Sequence, residues 1–285
     1  MTRIAYINGE FVPLEQARVS PLDRGFLFAD GIYEVWAVLD GRPVDTASHL
    51  ARLARSCGEI ALPLPAPVER IHALLVELIA RNQLVEGLVY LQVTRGAAPE
   101  RDFTFPKAPQ PTLFLFTQAK SLVDVPAARD GVAVKSVPDI RWARRDIKSV
   151  ALLAQVLAKQ AAAEAGCQEA WLVQDGVVNE GGSSSAFIVV DDGVVVTRQN
   201  SQTILPGCTR KALLALAQES GIRLQERPFT LAEAFAAREA FNSAAGALIQ
   251  PVVRIDDRVI GDGRPGPLTL RLRGLYIDYA RRTAG

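Results

Sequence analysis

Hydrophobic runs separated by short polar turns fill the first part of the chain and predict paired strands. Asn-Gly at 8–9 and Asp-Gly at 40–41 each lie between β-favouring apolar runs. Two-residue turns of these types fit the twist of antiparallel strands, so each one predicts a β-hairpin. Apolar runs at 88–94 and 112–117 predict two further strands.

Two segments of the same half carry apolar residues at helical spacing. Apolar positions recur every three or four residues at 46–60 and at 68–79, which predicts two amphipathic helices. Strands and helices together indicate an α+β domain over residues 1–120. A connection at 121–131 that contains proline and alanine is predicted to be the interdomain linker.

A second α+β domain is predicted over residues 132–285. Its elements, in order, are a strand at 132–137, a helix at 150–165, strands around Asp-Gly turns at 175–176 and 192–193, and helices at 209–220, from 230 and at 268–282. The helix from 230 opens with Thr-Leu-Ala-Glu, which has the form of a capping box. The chain of 285 residues is long enough for two domains.

The overall composition excludes several classes of protein. With 49% hydrophobic residues, 22% charged residues and a net charge of +1, we expect a soluble globular chain without an electrostatic footprint for nucleic acid or an acidic membrane. The N-terminus runs into the turn at 8–9 instead of an apolar signal segment, and no stretch approaches the ~18 apolar residues of a membrane span. We therefore expect a cytoplasmic protein.

Cysteine and histidine are scarce, which limits the available chemistry. The three cysteines and two histidines lie far apart without metal-ligand spacing, so no metal site is expected. A Ser/His/Asp triad would need His49 or His72, and neither lies near a nucleophile-elbow pattern. An enzyme with this composition would depend on lysine, carboxylates and a cofactor.

One lysine lies in a segment rich in arginine. The sequence Arg-Trp-Ala-Arg-Arg-Asp-Ile-Lys-Ser at 141–149 places Lys148 behind three arginines, just ahead of the predicted helix at 150–165. Nearby cations and partial burial both disfavour an ammonium, and a neutral amine is the nucleophile that Schiff-base chemistry requires. A solvated lysine at a helix start is the alternative.

Two further segments have features of a cofactor site. Glu180 lies in a small, polar interruption between apolar strands, where a carboxylate could keep a pyridine nitrogen protonated; an exposed turn glutamate is the alternative. The Leu205-Pro206-Gly207 sequence leads into a helix, so the N–H groups of Cys208 and Thr209 are candidates for binding phosphate. Thr209 as an ordinary N-cap is the alternative.

Three more residues are candidates with simple structural alternatives. Arg52 lies on a predicted helix, where a solvated charge is the usual outcome for a single arginine. Arg101 lies in a Pro-bounded loop with two aromatics and could clamp a carboxylate, or simply be on the surface. Tyr33 lies between Ile32 and Glu34 and is compatible with the core. The Gly-x-Gly-x-x-Gly sequence at 261–266 is interpreted as a turn, because its prolines are at odds with a dinucleotide fingerprint.

Several longer stretches occur in a characteristic order. They are Asp23-Arg24-Gly25, Phe28-Ala29-Asp30-Gly31-Ile32-Tyr33-Glu34-Val35, the helix at 49–53, Gln92-Val93-Thr94-Arg95-Gly96, Asp139-Ile140-Arg141-Trp142, Asp146-Ile147-Lys148-Ser149 and Leu157-Ala158-Lys159-Gln160. In this order the chain resembles the fold-type IV (class IV) pyridoxal-phosphate aminotransferases, most closely the D-amino-acid transaminases, over nearly its whole length.

The resemblance implies a fold and an assembly. It implies an α+β chain with a smaller, α/β sandwich-like N-terminal domain and a larger, pseudobarrel-like C-terminal domain that binds pyridoxal 5'-phosphate. The family is built as a homodimer with the cofactor between the two domains.

The resemblance also implies a role for each candidate residue. Lys148 would form the Schiff base with the cofactor and act as the catalytic base. The remaining implied roles are phosphate binding by Arg52, Cys208 and Thr209, pairing of Glu180 with the pyridine nitrogen, packing of Leu205 on the ring, and binding of the substrate carboxylate by Tyr33 and by Arg101 of the partner subunit.

The sequence departs from the family pattern at three places. Ser185 replaces an asparagine of the class signature, and the loop at 243–246 has fewer hydroxyls than its relatives, so backbone N–H groups and at most Ser243 would serve the phosphate. Phe103 stands where D-amino-acid transaminases usually have histidine. An apolar ring beside Arg101 predicts that activity extends from D-amino acids towards primary (R)-amines.

The expected function is ping-pong transamination between a D-amino acid and a 2-oxo acid such as pyruvate or 2-oxoglutarate. Three alternatives stay open on the sequence. They are an aminodeoxychorismate lyase, a branched-chain L-amino-acid transaminase, and a non-enzymatic protein that binds a phosphate metabolite.

Overall fold

The computed structural model describes residues 2–285, and its chain divides into two compact units. The first unit contains residues up to Lys120 together with Ile147–Ala151 and Thr283–Gly285. The second contains Ser121–Asp146 and Leu152–Arg282. The predicted linker and cofactor domain stay predictions, but the segment at 147–151 packs with the first unit rather than with the chain on either side of it.

The first unit is an antiparallel sheet covered by helices. Its elements are β1 (Ile4–Ile7), β2 (Glu10–Pro13), a 3₁₀ turn (Leu14–Gln16), α1 (Arg24–Phe28), β3 (Gly31–Leu39), β4 (Arg42–Pro43), α2 (Thr46–Glu59), α3 (Val68–Arg81), β5 (Gly87–Thr94) and β6 (Thr112–Ala119). The strand order is β2-β1-β6-β5-β3-β4. Both predicted hairpins, both helices and the two further strands are confirmed.

Alternation along the strands separates the two faces of this sheet. Alternate residues such as Ile32 and Trp36 on β3 and Val89 on β5 are buried with the apolar faces of α2 and α3. The other face carries half-buried aromatic rings in contact, with Tyr33 stacked on Tyr90 at 5.7 Å. The core therefore lies between the sheet and its helices, and the aromatic face is left for other contacts.

The second unit is built around a mixed sheet. Its elements are α4 (Pro126–Arg129), β7 (Val132–Pro138), α5 (Leu153–Glu164), β8 (Glu169–Gln174), β9 (Val177–Gly181), β10 (Ser185–Val189), β11 (Val195–Thr197), α6 (Cys208–Glu219), β12 (Leu224–Glu226), α7 (Leu231–Phe235), β13 (Glu239–Ala244), β14 (Leu248–Ile255), β15 (Arg258–Val259) and α8 (Pro267–Thr283). The strand order is β12-β11-β10-β13-β14-β7-β8-β9, with β15 on β14. The predicted α+β class is confirmed.

Two helix starts differ from the sequence prediction. Helix α5 begins at Leu153 and not at 150, because the residues before it extend along a strand of the first unit. Helix α6 begins at Cys208, and its N-cap is Gly207. Thr209 is therefore inside the first turn, and its interpretation as the N-cap is wrong. The capping box between Thr230 and Glu233 is confirmed, with both reciprocal hydrogen bonds present.

The glycine-rich stretch at 261–266 ends at a helix whose N-terminus already holds an anion. The buried Glu239 carboxylate accepts hydrogen bonds from Leu268 N and Thr269 N at 3.1 and 2.8 Å. A second anion such as a pyrophosphate would be repelled there. None of the helices in residues 2–285 combines the length and apolar character needed to cross a bilayer.

Candidate active site

Lys148 is positioned by strand pairing. Tyr33 N–H donates to the carbonyl of Lys148, and Val150 N–H donates to the carbonyl of Gly31, both at 3.0 Å. The segment at 147–151 thereby pairs with the edge of β3 that β4 leaves uncovered. Lys148 Nζ lies 4.1 Å from the centroid of the Tyr33 ring. The structure therefore brings together two of the residues predicted to form the site.

The three arginines ahead of Lys148 are paired with carboxylates. Arg141 and Arg145 pair with Asp139 at 2.8 and 3.6 Å, and Arg144 pairs with Asp146 at 3.0 Å. Each of these three positive charges therefore has a carboxylate partner. The half-buried position of Lys148 agrees with the prediction of partial burial.

Arg52 belongs to a buried charge cluster. Its Nε and one terminal nitrogen donate to Glu34 at 2.8 and 2.7 Å, and His49 Nδ1 lies 2.7 Å from the same carboxylate. Burial alone would raise the pKa of Glu34, but attraction and hydrogen bonds from Arg52, with a smaller contribution from His49, lower its pKa to about 2. Burial lowers the pKa of His49. The solvated alternative for Arg52 is wrong.

Arg101 lies on the long loop between β5 and β6, residues 95–111. Its guanidinium carbon is 4.9 Å from the Phe28 ring centroid and 5.0 Å from that of Phe103. Both Arg101 and Phe103 are exposed, Phe103 to 74%. The predicted pair on this loop is therefore in direct contact, with the charge held between two rings.

Glu180 lies within β9 and is 4% exposed, so its interpretation as an exposed turn residue is wrong. Arg141 donates to Glu180 Oε1 at 2.5 Å, and Leu205 N–H donates to the two carboxylate oxygens at 3.1 and 3.2 Å. Burial raises the pKa of Glu180, while Arg141 and the Leu205 amide act in the opposite direction. An ionised carboxylate fixed at this place could accept a hydrogen bond from a protonated ring nitrogen.

A network of polar groups orients Arg141 towards Glu180. Asp139 accepts from Arg141 at 2.9 and 2.8 Å and from Asn179 at 2.7 Å. Asn179 is the residue before Glu180, so strand β9 carries both ends of the network. The Glu180 carboxylate is therefore fixed from two sides.

The N-terminus of α6 has the features of a phosphate site. Its N-cap is Gly207, so no side chain at this position bonds to the helix N–H groups, and Cys208 and Thr209 are buried. A side chain at 207 would approach Ser185 Oγ, and Ser185 pairs directly with Ser243 across β10 and β13. Ser243 Oγ is buried and has no hydrogen-bond partner among the described residues. The N-terminal end of a helix beside an unpaired hydroxyl fits a bound phosphate.

Sequence reasoning missed the partners that hold these residues. In the sequence Glu34 and Arg141 occur only within longer motifs, and their contacts with Arg52 and Glu180 were not predicted. One feature of the sequence could have predicted a partner for Glu34. It alternates with Ile32 and Trp36 on the inward-facing side of an apolar strand, where an unpaired charge is costly.

The sequence model of the class IV aminotransferases matches residues 31–255 of this chain. The chain therefore belongs to that family. It is similar to the D-alanine aminotransferase of Staphylococcus epidermidis, with 38% identity over 282 residues and 98% of each chain covered. It is also 38% identical to the D-alanine aminotransferase of Bacillus licheniformis, over 92% of each chain.

Solved structures have the same fold. The branched-chain amino acid aminotransferase of Escherichia coli superposes with a TM-score of 0.91 at 23% identity, over 98% of this chain and 95% of the other. The 4-amino-4-deoxychorismate lyase of Pseudomonas aeruginosa superposes with a TM-score of 0.81 at 28% identity, over 96% and 98%. These likenesses agree with the fold-type IV prediction.

The protein is a pyridoxal 5'-phosphate-dependent aminotransferase that uses an amino donor and a 2-oxo acid. The T.th. branched-chain amino acid aminotransferase, with a TM-score of 0.89 at 26% identity over 98% and 94% of the chains, was solved with pyridoxamine 5'-phosphate. The residues of this chain fit such a group, because Ser243 Oγ and the N-terminus of α6 could bind a phosphate and the fixed Glu180 carboxylate could accept a hydrogen bond from a ring nitrogen.

The Glu34 cluster predicts acid sensitivity. Because the folded pKa of about 2 lies below the unfolded value of 4.5, its stabilisation is complete above pH 4.5 and is lost as the pH falls towards 2. His49, whose pKa is lowered from 6.5, likewise loses stabilisation below pH 6.5. As the pH falls towards 2, we expect protonation of Glu34 to lower the free energy of unfolding of the wild type by on the order of 3 kcal/mol.

Urea unfolding between pH 7 and 2.5 would measure this loss. Glu34→Gln should be less stable at pH 7 by about 3–5 kcal/mol, because it leaves Arg52 buried without a counter-charge, and its stability should depend less on pH below 4.5. Glu10→Gln, at an exposed strand position, is the control and should follow the wild type. If the unfolding free energies of wild type and Glu34→Gln changed with pH in parallel, Glu34 would not be the source of the acid sensitivity.

Proposed function

We propose that this protein is a D-amino-acid transaminase that moves the amino group of a D-amino acid to a 2-oxo acid such as pyruvate or 2-oxoglutarate by a ping-pong mechanism. The observation that carries the choice of D-substrates is the 38% identity to D-alanine aminotransferases over 98% of both chains. The structural neighbours named branched-chain aminotransferase and aminodeoxychorismate lyase are 22–28% identical, which is weaker support for those substrates.

In this proposal each predicted cofactor residue has one role. Lys148 would hold the cofactor covalently, Glu180 would accept a hydrogen bond from its protonated ring nitrogen, and Leu205 would pack on the ring. Arg52 and the N–H groups of Cys208 and Thr209 would bind its phosphate. The uncapped N-terminus of α6 and the fixed Glu180 carboxylate support these roles.

The cofactor, when bound, supplies an aldehyde carbon that carries the amino group and a ring that withdraws electrons from the substrate α-carbon. Lys148 Nζ would accept the proton from that α-carbon and donate it to the former aldehyde carbon of the cofactor, so that one side chain is first base and then acid. The Tyr33 ring, 4.1 Å from Nζ, limits the movement of the amine. Arg141 prevents the Glu180 carboxylate from rotating away.

Tyr33, Arg101 and Phe103 are proposed to bind substrate, with Arg101 provided by a partner subunit. A guanidinium binds a carboxylate through two parallel hydrogen bonds, which selects for amino acids. The exposed Phe103 ring adds apolar surface at the position where D-amino-acid transaminases usually have histidine. Some turnover of primary (R)-amines is the expected consequence.

A homodimer is proposed because one helix carries an apolar face without cover in the single chain. Leu153, Val156 and Leu157 on α5 are 71%, 59% and 52% exposed. The opposite face of the same helix, with Ala158 and Ala162, packs on the sheet of the second unit. A large exposed apolar patch is typical of an interface.

Replacement of the proposed catalytic lysine tests the chemistry. Lys148→Ala should lose at least about 10⁴-fold in turnover, because nucleophile and base are removed together. Borohydride treatment of the wild type should leave a pyridoxyl adduct on Lys148, detected by peptide mass. Lys211→Ala, at an exposed position on α6, is the control. Near-normal turnover by Lys148→Ala, or an adduct on another lysine, would contradict the proposal.

A donor panel tests the substrate class. D-alanine should be used far better than L-alanine or L-leucine, and an aromatic (R)-amine should be used slowly. Phe103→His should lower the ratio of amine to D-alanine turnover, because it replaces the apolar ring by a polar one. Preference for L-leucine would favour a branched-chain transaminase, and release of a keto acid without any acceptor would favour the lyase.

A charge on the exposed face of α5 tests the assembly. The wild type should be a dimer in light scattering, and Leu157→Asp should weaken it by about 10-fold or more, because a carboxylate would lose its water in the interface. Leu270→Asp, on the exposed face of α8, is the matched control. A monomeric wild type, or equal dissociation of the two variants, would refute the proposed interface.

A further inference from the structure

One buried carboxylate closes the base of the 95–111 loop that carries Arg101. Thr94 Oγ1 and Thr112 Oγ1 donate to Asp23 Oδ2 at 2.9 and 2.7 Å, and Gly25 N–H donates to Oδ1 at 2.8 Å. Thr94 ends β5 and Thr112 begins β6. Asp23 therefore joins both ends of the loop to the first turn of α1.

The next residue along the chain holds the tip of the same loop. Arg24 donates to the carbonyl oxygens of Asp102 at 2.5 Å, Phe103 at 3.1 Å and Thr104 at 3.3 Å. The planar guanidinium has five N–H donors in a fixed fork, which lets one side chain reach several acceptors. Three consecutive carbonyls beside Arg101 are thereby fixed by one buried side chain.

Arg24 is itself anchored by a shared carboxylate. Its Nε donates to Asp30 at 2.8 Å, and Arg95 donates to the two oxygens of Asp30 at 2.8 and 3.0 Å. Arg95 also donates to the carbonyls of Ile60 and Ala61 at 2.8 Å. Burial raises the pKa of Asp30, but hydrogen bonds from Arg95 and Arg24 outweigh it and hold the pKa below its ordinary value. The anchor stays ionised at neutral pH.

The same helix also contacts the Arg101 side chain. Phe28, the last residue of α1, and Phe103 lie 5.2 Å apart between ring centroids, and each is within 5.0 Å of the Arg101 guanidinium. Helix α1 therefore provides the group that fixes the loop backbone and one of the rings that orients Arg101. In this arrangement the Phe103 ring helps to orient the Arg101 guanidinium.

We infer that Arg24 is a positioning residue that holds the 102–104 backbone so that Arg101 is presented to the substrate carboxylate. The inference rests on the proposed function, because it takes Arg101 as the group that binds that carboxylate. Without Arg24 the loop would have to become ordered each time substrate binds, and that entropy would weaken binding. The chemistry at Lys148 would be unchanged.

Loss of Arg24 is compatible with a folded chain. Asp30 keeps its two hydrogen bonds from Arg95. The three carbonyls that Arg24 binds belong to exposed residues, and water can replace the guanidinium there. Arg24→Gln is therefore a usable variant, and Arg24→Lys, which keeps the charge next to Asp30 but lacks the fork, is the second.

A double-mutant cycle tests the inference on the complete enzyme. Arg24→Gln should raise KM for D-alanine by about 10-fold or more with kcat changed less than about 2-fold, and Arg24→Lys should recover part of the loss. On an Arg101→Gln background, Arg24→Gln should add little, because both act through one group. Arg18→Gln is the matched control, since Arg18 binds the carbonyls of Glu15 and Ala17 outside this loop.

Hydrogen–deuterium exchange of the peptide covering 99–106 provides a readout that does not depend on turnover. Exchange should be faster in Arg24→Gln than in wild type and unchanged in Arg18→Gln. Equal KM effects with and without Arg101, or unchanged exchange and KM, would overturn the inference. A wild type that uses only L-amino acids would refute the proposed substrate but not the positioning role, which the exchange rates and the KM for the L-donor would then decide.

Discussion

The pairing of residues 147–151 with the edge of β3 is the interaction on which the proposed chemistry of this enzyme depends. Two backbone hydrogen bonds of 3.0 Å fix the Cα of Lys148 beside Tyr33. Only the side-chain torsions of the lysine then remain to be set, and the Tyr33 ring restricts them. A catalytic group gains most when its position is established before substrate binds. The late start of α5 at Leu153 follows from the same extended segment.

Carboxylates with little exposure to solvent lie beside an arginine near several of the proposed site residues. Glu34 lies between Arg52 and His49, Asp30 lies between Arg24 and Arg95, and Glu180 is bound by Arg141 and a backbone N–H. Buried ion pairs contribute little net stability, since desolvation offsets much of their attraction. Such pairs instead fix the positions of their side chains and keep the carboxylates ionised.

Local signals predicted most of the fold. The Asn-Gly and Asp-Gly turns specify their hairpins through positive φ at adjacent residues, and helical spacing located α2 and α3. Lys148 and Glu180 were identified as candidates by chemistry, and their roles were assigned by family resemblance. The extended segment around Lys148 and the burial of Glu180 were not predicted, because both depend on partners distant in sequence. The pairing of the arginines with Asp139 and Asp146 was not predicted either, although these carboxylates lie within six residues of them.

A crystal structure of the protein with pyridoxal 5'-phosphate is the most direct test of the central claim, that one cofactor is bound by Lys148 at its aldehyde carbon and by Glu180 at its ring nitrogen. We expect continuous density from Lys148 Nζ to the cofactor and a Glu180 oxygen within about 2.6–3.2 Å of the ring nitrogen. A cofactor attached to another lysine, or a ring nitrogen that contacts a residue other than Glu180, would contradict the claim.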